Sequence, residues 1–127
     1  DIDHFKEIND EQGHLAGDLV LRELGSLFRR NVRNADVLGR YGGDEFVWLL
    51  PETDLEMAVC AADKLVNEVR IQRFDLSGKG TSRAAISVTA SLGAAGLLPG
   101  ENVEDLLRRA DEALYKAKAA GRDRLVS

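Results

Sequence analysis

A chain of 127 residues is the size of one domain and should bury roughly two-thirds of its extended surface on folding. At 44% hydrophobic and 31% charged residues it is ordinary for a globular protein; no apolar run reaches the ~20 residues that span a bilayer, and no signal-peptide pattern opens it. A net charge of −5 speaks against a general nucleic-acid binder but not against a small anionic ligand, and the single cysteine, Cys60, rules out an internal disulfide and suits a reducing cytoplasm.

In chain order, Phe5 to Asp10 is expected to form a short helical turn. An amphipathic helix follows through Val20, Leu21, Leu24, Leu27 and Phe28. Val37 to Tyr41 and Phe46 to Leu50 read as strands, the second apolar at both parities and so expected to be covered on both faces. Gly42-Gly43 between them predicts a type I′ hairpin, which needs positive φ at both positions. A second helix carries Leu55, Val59, Ala62, Leu65, Val66 and Val69, with Thr53-Asp54-Leu55-Glu56 as its capping box. A strand is expected from Ile71 to Leu76. Ser77-Gly78-Lys79-Gly80 should turn into another, where Ile86, Val88, Ala90 and Leu92 alternate with a wetter face of Ser87, Thr89 and Ser91. The last helix runs through Val103, Leu106, Leu107, Ala110, Leu114 and Ala117, with Asn102 as N-cap and Gly121 as its stop. This mixture predicts an α+β fold, a mostly antiparallel central sheet flanked by helices.

Four segments carry chemistry. In Arg40-Tyr41-Gly42-Gly43-Asp44-Glu45-Phe46, two carboxylates follow a glycine turn that lets a ligand approach the backbone. Exposed acids on a hairpin would give the same pattern. Asp1, in the acidic opening Asp1-Ile2-Asp3-His4-Phe5-Lys6, could join Asp44 as a hard oxygen ligand, one carboxylate from each of two strands, as a nucleotidyl-transfer metal site requires. The same acids would also suit a helix N-terminus. Gly13-His14-Leu15-Ala16-Gly17-Asp18 is the third segment. The fourth is Ala113 to Arg124, where Lys118 and Arg122 stand four apart, which on a helix places both cations on one side of its end; the helix dipole alone would favour them there.

In this order and spacing the four segments resemble the GGDEF family of diguanylate cyclases, along the whole chain. The resemblance implies a fold similar to nucleotide cyclases and polymerase palm domains. The family's usual domain has a further helix and strand ahead of the Asp1 position, so residues 1–127 read as a GGDEF domain missing its N-terminal part, and activity is expected of the complete domain rather than of the chain alone. By position, Asp1, the Ile2 carbonyl and Asp44 would hold Mg²⁺ or Mn²⁺. Asp44 would also act as base on the attacking 3′-hydroxyl, with Glu45 assisting the metals. Backbone amides from His4 through Phe5 to Lys6 would hold phosphates, and the Lys6 ammonium would stabilise developing charge. Asn9 and Asp18 match guanine-reading positions, which speaks against ATP as substrate; His14 would lie near the nucleotide, and Gly42 and Gly43 would also contact the substrate. Lys118 and Arg122 would clamp the triphosphate, with Arg40 a further candidate.

Upstream, Arg33 and Asp36 leave five residues before Gly42, the spacing of the family's inhibitory product site. Arg stacks on and donates to guanine, while Asp accepts from its Watson–Crick edge. Alone, the pair could be a surface feature of a helix end. Lys64 matches a position where the family often has a second Arg; it should face solvent, and without the planar fork it should bind product less tightly. The implied activity is condensation of two GTP into cyclic di-GMP and two pyrophosphates, in a homodimer brought together by regulatory domains outside this chain. Neither nucleic acid nor direct membrane contact is expected of this domain, although the parent protein could be membrane-tethered. The alternative is a non-catalytic cyclic di-GMP receptor; the intact Gly42 to Phe46 turn argues for the enzyme.

Overall fold

The computed structural model of the chain describes residues 1–77, 80 and 84–127. The expected turn over Ser77 to Gly80 therefore lies partly outside the described residues, at Gly78 and Lys79. Two helices open the chain, α1 (Phe5–Gln12) and α2 (His14–Asn31). They are separated by Gly13, whose φ of 86° breaks the helical path where a side chain would be strained. The hairpin β1 (Val37–Gly42) and β2 (Glu45–Leu49) follows, then α3 (Leu55–Ile71), β3 (Phe74–Asp75) and β4 (Ala85–Ile86). The chain closes with β5 (Leu92–Gly93), α4 (Val103–Ala119) and β6 (Leu125–Val126).

The architecture is α+β, and pairing is mostly antiparallel. β1 pairs with β2 from Val37 opposite Leu49 to Gly42 opposite Glu45, β3 pairs with β4, and β5 runs parallel to β6. The segment Asp1–Asp3 joins these pieces. Ile2 bridges Ala90 in antiparallel sense, and its N–H donates to the Asp44 carbonyl at 3.3 Å. The carboxylate-bearing turn and the 89–91 segment are thereby tied to one short piece of extended chain.

Alternation along that piece decides what each side meets. Ile2, almost fully buried, joins Leu24, Val20, Phe74, Val88 and Ala90 in the main core. Each fully buried aliphatic side chain there contributes roughly 1.5–3 kcal/mol. Asp1 and Asp3, of opposite parity, bond to residues at the end of α4 and just beyond it. On β2, Phe46 meets Phe28 of α2 edge to face, with ring centroids 5.0 Å apart, and so docks the hairpin on the helical layer.

Several local expectations are corrected. The hairpin turn is Gly43-Asp44, since Gly42 already pairs with Glu45; neither Gly42 nor Gly43 has positive φ, and a register irregularity between Arg40 and Gly42 takes up the difference from a type I′ turn. Asp54, not Thr53, caps α3 by accepting from the Met57 N–H at 2.8 Å, while the Thr53 hydroxyl donates to the Pro51 carbonyl. Ile71 still belongs to α3, so the strand expected from Ile71 shrinks to Phe74–Asp75. Phe46, Val47 and Trp48 are half-buried and Leu49 is exposed, so β2 is not covered on both faces. Ser91 is fully buried rather than wet, because Asp3 occupies that side of the strand. The cap at Asn102 is as expected: its side chain accepts from the Asp105 N–H at 2.8 Å.

Candidate functional site

Three pieces converge around Asp1. Its carboxylate, 8% exposed, receives the Lys118 ammonium from the last turn of α4 at 2.9 Å. The turn carrying Asp44 is held beside it by the Ile2–Asp44 backbone bond. Lys118, Asp3, Asp44 and Glu45 all lie close enough to act electrostatically on the Asp1 backbone nitrogen. The Asp44 and Glu45 side chains take no hydrogen bond among the described residues, and Glu45 is exposed.

The third piece is the start of α1. His4 adopts a left-handed conformation, φ 58° and ψ 26°, which turns the extended segment abruptly into the helix. Its ring nitrogen Nδ1 lies 2.7 Å from a Glu7 carboxylate oxygen, so that exposed side chain is engaged within the turn. Phe5 points into the core, and any ligand contact from it is by backbone. The first amides of a helix have no intrahelical acceptor, which leaves this turn suited to phosphate oxygens. Lys6 is exposed beside it.

The α1–α2 corner brings Asn9 to Gly17. A Cβ at Gly17 would collide with the Asn9 side-chain oxygen and crowd the Phe5 ring, so only glycine permits this approach. Asp18, the next residue, is exposed on the same helix, as is His14 in its first turn. Asn9 is therefore packed against the residue adjoining Asp18, a placement that sequence spacing alone could not supply.

Other candidates stand differently. Arg122 is not on one helical side with Lys118: α4 ends at Ala119, and Arg122 lies beyond it with φ 63°. Its N–H closes on the Ala117 carbonyl at 3.0 Å past Gly121, and no ion pair or hydrogen bond joins its side chain to the site among the described residues. Arg40 uses its Nε–H on the Gly43 carbonyl at 2.8 Å, so it braces the turn. Lys64 faces solvent as expected, 3.7 Å from Glu68, and is not joined to Arg33 or Asp36.

Arg33 and Asp36 do form a unit. The Asp36 carboxylate oxygen Oδ2 accepts the Arg33 backbone N–H at 2.9 Å and the Trp48 indole N–H at 3.1 Å. The indole contact had no sequence signal beyond Trp48 lying on the strand that returns past Asp36.

Asp3 was also missed. Buried to 4% exposure, it accepts from the Thr89 and Ser91 hydroxyls, each at 2.7 Å, and from the Asp123 N–H at 3.0 Å. Asp123 in turn receives Arg70 Nε–H at 2.8 Å. The Asp1/Asp3 parity, set against Thr89 and Ser91, was the available signal.

The residues present fit a hard divalent cation. Asp1, Asp44 and the Ile2 carbonyl offer only oxygen, Asp44 has no competing donor among the described residues, and Mg²⁺ or Mn²⁺ keeps waters and substrate oxygens for the rest of its shell. Among the described residues no group of three or more His, Cys, Asp or Glu could hold a metal ion, so the protein supplies no closed cage. None of the described helices is long and apolar enough to cross a membrane.

Comparison with known proteins agrees along almost the full chain. The profile described as "Diguanylate cyclase, GGDEF domain" matches residues 1–124. The diguanylate cyclase DgcP of Pseudomonas aeruginosa is 45% identical over 125 residues, 98% of this chain and 18% of that protein. The response regulator PleD of Caulobacter vibrioides is 42% identical over 127 residues, 99% of this chain and 27% of that protein. The chain thus spans well under half the length of these relatives. Among solved structures, the GGDEF domain of DgcB from Caulobacter crescentus in complex with c-di-GMP superimposes with a TM-score of 0.92 at 33% identity, covering 99% of this chain and 72% of that one. The active GGEEF domain of a Vibrio cholerae diguanylate cyclase gives 0.86 at 34% identity, covering 99% and 77%.

Proposed function

The chain belongs to the GGDEF family of diguanylate cyclases, and from that premise we propose that the protein containing it condenses two GTP molecules into cyclic di-GMP, releasing two pyrophosphates. The observation that carries this reading is the juxtaposition of Asp1 and Asp44, joined through the Ile2–Asp44 backbone bond at 3.3 Å, at the opening of α1. An Asp44 carboxylate unpaired among the described residues and an Asp1 carboxylate held among them only by the Lys118 ammonium, both beside helix amides, suit a nucleotide triphosphate better than a purely structural turn.

In this mechanism Asn9 and Asp18 hold guanine, since a carboxylate accepts from the paired N1–H and exocyclic amine that adenine lacks. The α1 amides and Lys6 hold the phosphates, and Lys118 leaves Asp1 to meet the triphosphate. A divalent cation bound by Asp1, Asp44 and the Ile2 carbonyl would supply charge neutralisation at the reacting phosphate. Asp44 accepts the proton of the attacking 3′-hydroxyl. Each hydroxyl attacks the α-phosphate of the other nucleotide, so two domains face one another about a two-fold axis. Arg33 and Asp36 form a separate product site through which cyclic di-GMP slows the reaction.

The test is to incubate the complete protein with GTP and Mg²⁺ and identify the product by mass. Cyclic di-GMP is expected. Binding of cyclic di-GMP without any turnover of GTP would replace this reading with that of a receptor.

A further inference from the structure

Asp36 has one carboxylate oxygen committed and one open. Oδ2 takes both the Arg33 N–H and the Trp48 indole N–H, whereas Oδ1 takes no hydrogen bond among the described residues. The Arg33 guanidinium is likewise without a partner among them, and exposed. The turn therefore presents a cation and a single oriented oxygen outward, while its inner side is fastened from below.

The fastening is shared: the Arg33 N–H holds Oδ2 from within the turn at 2.9 Å, and the Trp48 indole holds it from a strand at 3.1 Å. Trp48 sits on β2 opposite Leu38 of β1, and its ring packs against the main core. One edge of the indole is held by that packing, so its N–H is aimed by residues distant from the turn. A carboxylate held by one backbone N–H alone keeps part of its rotational freedom, which must be frozen when a ligand binds. Trp48 is also the only tryptophan in the chain.

We propose that Trp48 is a positioning residue for the Arg33–Asp36 site: its indole N–H fixes the Asp36 carboxylate so that Oδ1 faces the Watson–Crick edge of a guanine base. The inference rests on the reading of Arg33 and Asp36 as the cyclic di-GMP site. It adds a residue that touches the ligand only through Asp36. Ligand binding redistributes charge on the carboxylate that the indole donates to, so occupancy is reported by the indole itself.

The experiment measures cyclic di-GMP binding calorimetrically in the complete protein and in its Arg33→Ala and Trp48→Phe variants. Difference fluorescence between the protein and Trp48→Phe isolates the Trp48 emission. Phenylalanine keeps an aromatic ring and removes the donor. Trp48→Phe should bind about fivefold more weakly, the scale of one ordinary hydrogen bond and fitting for a donor that reaches the ligand only through Asp36, and Trp48 emission should shift on saturation with cyclic di-GMP. Arg33→Ala should lose binding by more than tenfold, and with it the emission shift. Unchanged affinity in Trp48→Phe, with binding lost in Arg33→Ala, overturns the positioning role and leaves the site standing. Unchanged affinity in Arg33→Ala sinks the site. Should Trp48→Phe fail to fold, the emission of the parent is followed with Asp36→Ala in place of the Phe variant as reference: a signal indifferent to saturating cyclic di-GMP overturns the proposal.

Discussion

Asp1 and Asp3 lie on the same side of one extended segment, and their carboxylates are treated in opposite ways. Asp3 is saturated: two hydroxyls and one backbone amide donate to it, and it is buried to 4% exposure. Asp1 is met by the Lys118 ammonium at 2.9 Å, and the Asp44 side chain in the adjoining turn has no donor among the described residues. A saturated buried carboxylate contributes to stability, because leaving its donors unpaired is costly. An unsaturated one keeps acceptor capacity for a ligand. The contrast separates the anchor Asp3 from Asp1, a proposed metal ligand, two residues away in sequence.

The sharpest way to break this contrast is at Asp44. Asp44→Ala should lower cyclic di-GMP synthesis by more than ~100-fold, on the scale of removing a principal charge-stabilising group. It should leave thermal unfolding near that of the parent, since the side chain fills no core space. Near-parental turnover in the folded variant would refute the assignment of Asp44 to the reaction.

Asp3→Ala probes the other side. Three donors, the buried Ser91 hydroxyl and the half-buried Thr89 hydroxyl and Asp123 N–H, lose their acceptor together. A stability loss of about 2–3 kcal/mol is expected, read as a lower denaturant midpoint. Because the Asp123 N–H lets go, the link from the α4 terminus to the extended segment Asp1–Asp3 should loosen as well. If unfolding is unaltered, Asp3 is not the anchor described.

That anchor also marks where the sequence ran out as a guide. Helix α4 was readable because Asn102 bonds within its own first turn, a local event with a local signature. The four motif segments were readable for the same reason. Asp3, by contrast, is defined by residues 86, 88 and 120 positions away. The misplaced turn at Gly42-Gly43 and the misplaced cap at Thr53 are register slips of one residue, decided by which donor the rest of the fold leaves available. Arg122 failed differently: the i, i+4 argument assumed a helix that Gly121, with φ 109°, had already ended.

A smaller effect sharpens the contrast at the base-reading corner. Gly17→Ala places a methyl where the Asn9 side-chain oxygen lies. Asn9 can rotate away, so the fold should persist, but its amide would leave the position proposed for guanine. The KM for GTP should rise by roughly three- to tenfold, equivalent to ~1 kcal/mol of lost binding, with kcat less affected. Steady-state rates at varied GTP decide it; an unchanged KM removes Asn9 from guanine recognition.

The smallest expected effect lies in a third carboxylate, saturated like Asp3 but away from the site. Glu101 receives Arg109 Nε–H at 2.7 Å and a second guanidinium nitrogen at 2.6 Å, and it also accepts the Leu98 N–H. Arg109 extends the clasp to the Gly96 carbonyl, so the loop before α4 is tied to that helix. The Arg109 hydrogen bonds first, and the Leu98 amide next, hold the Glu101 carboxyl down from 4.5 to about 2. A folded-state value below the unfolded one means the charged form favours folding, so this contribution is complete above about pH 4.5 and fades as the pH falls towards 2. Glu101→Gln should accordingly be less stable than the parent at neutral pH, and the gap should close across that acid window. Thermal midpoints of both proteins from pH 7 to pH 2 test it. A gap that stays constant with pH would mean the clasp works by shape rather than charge, and saturation at Glu101 would then differ in kind from saturation at Asp3.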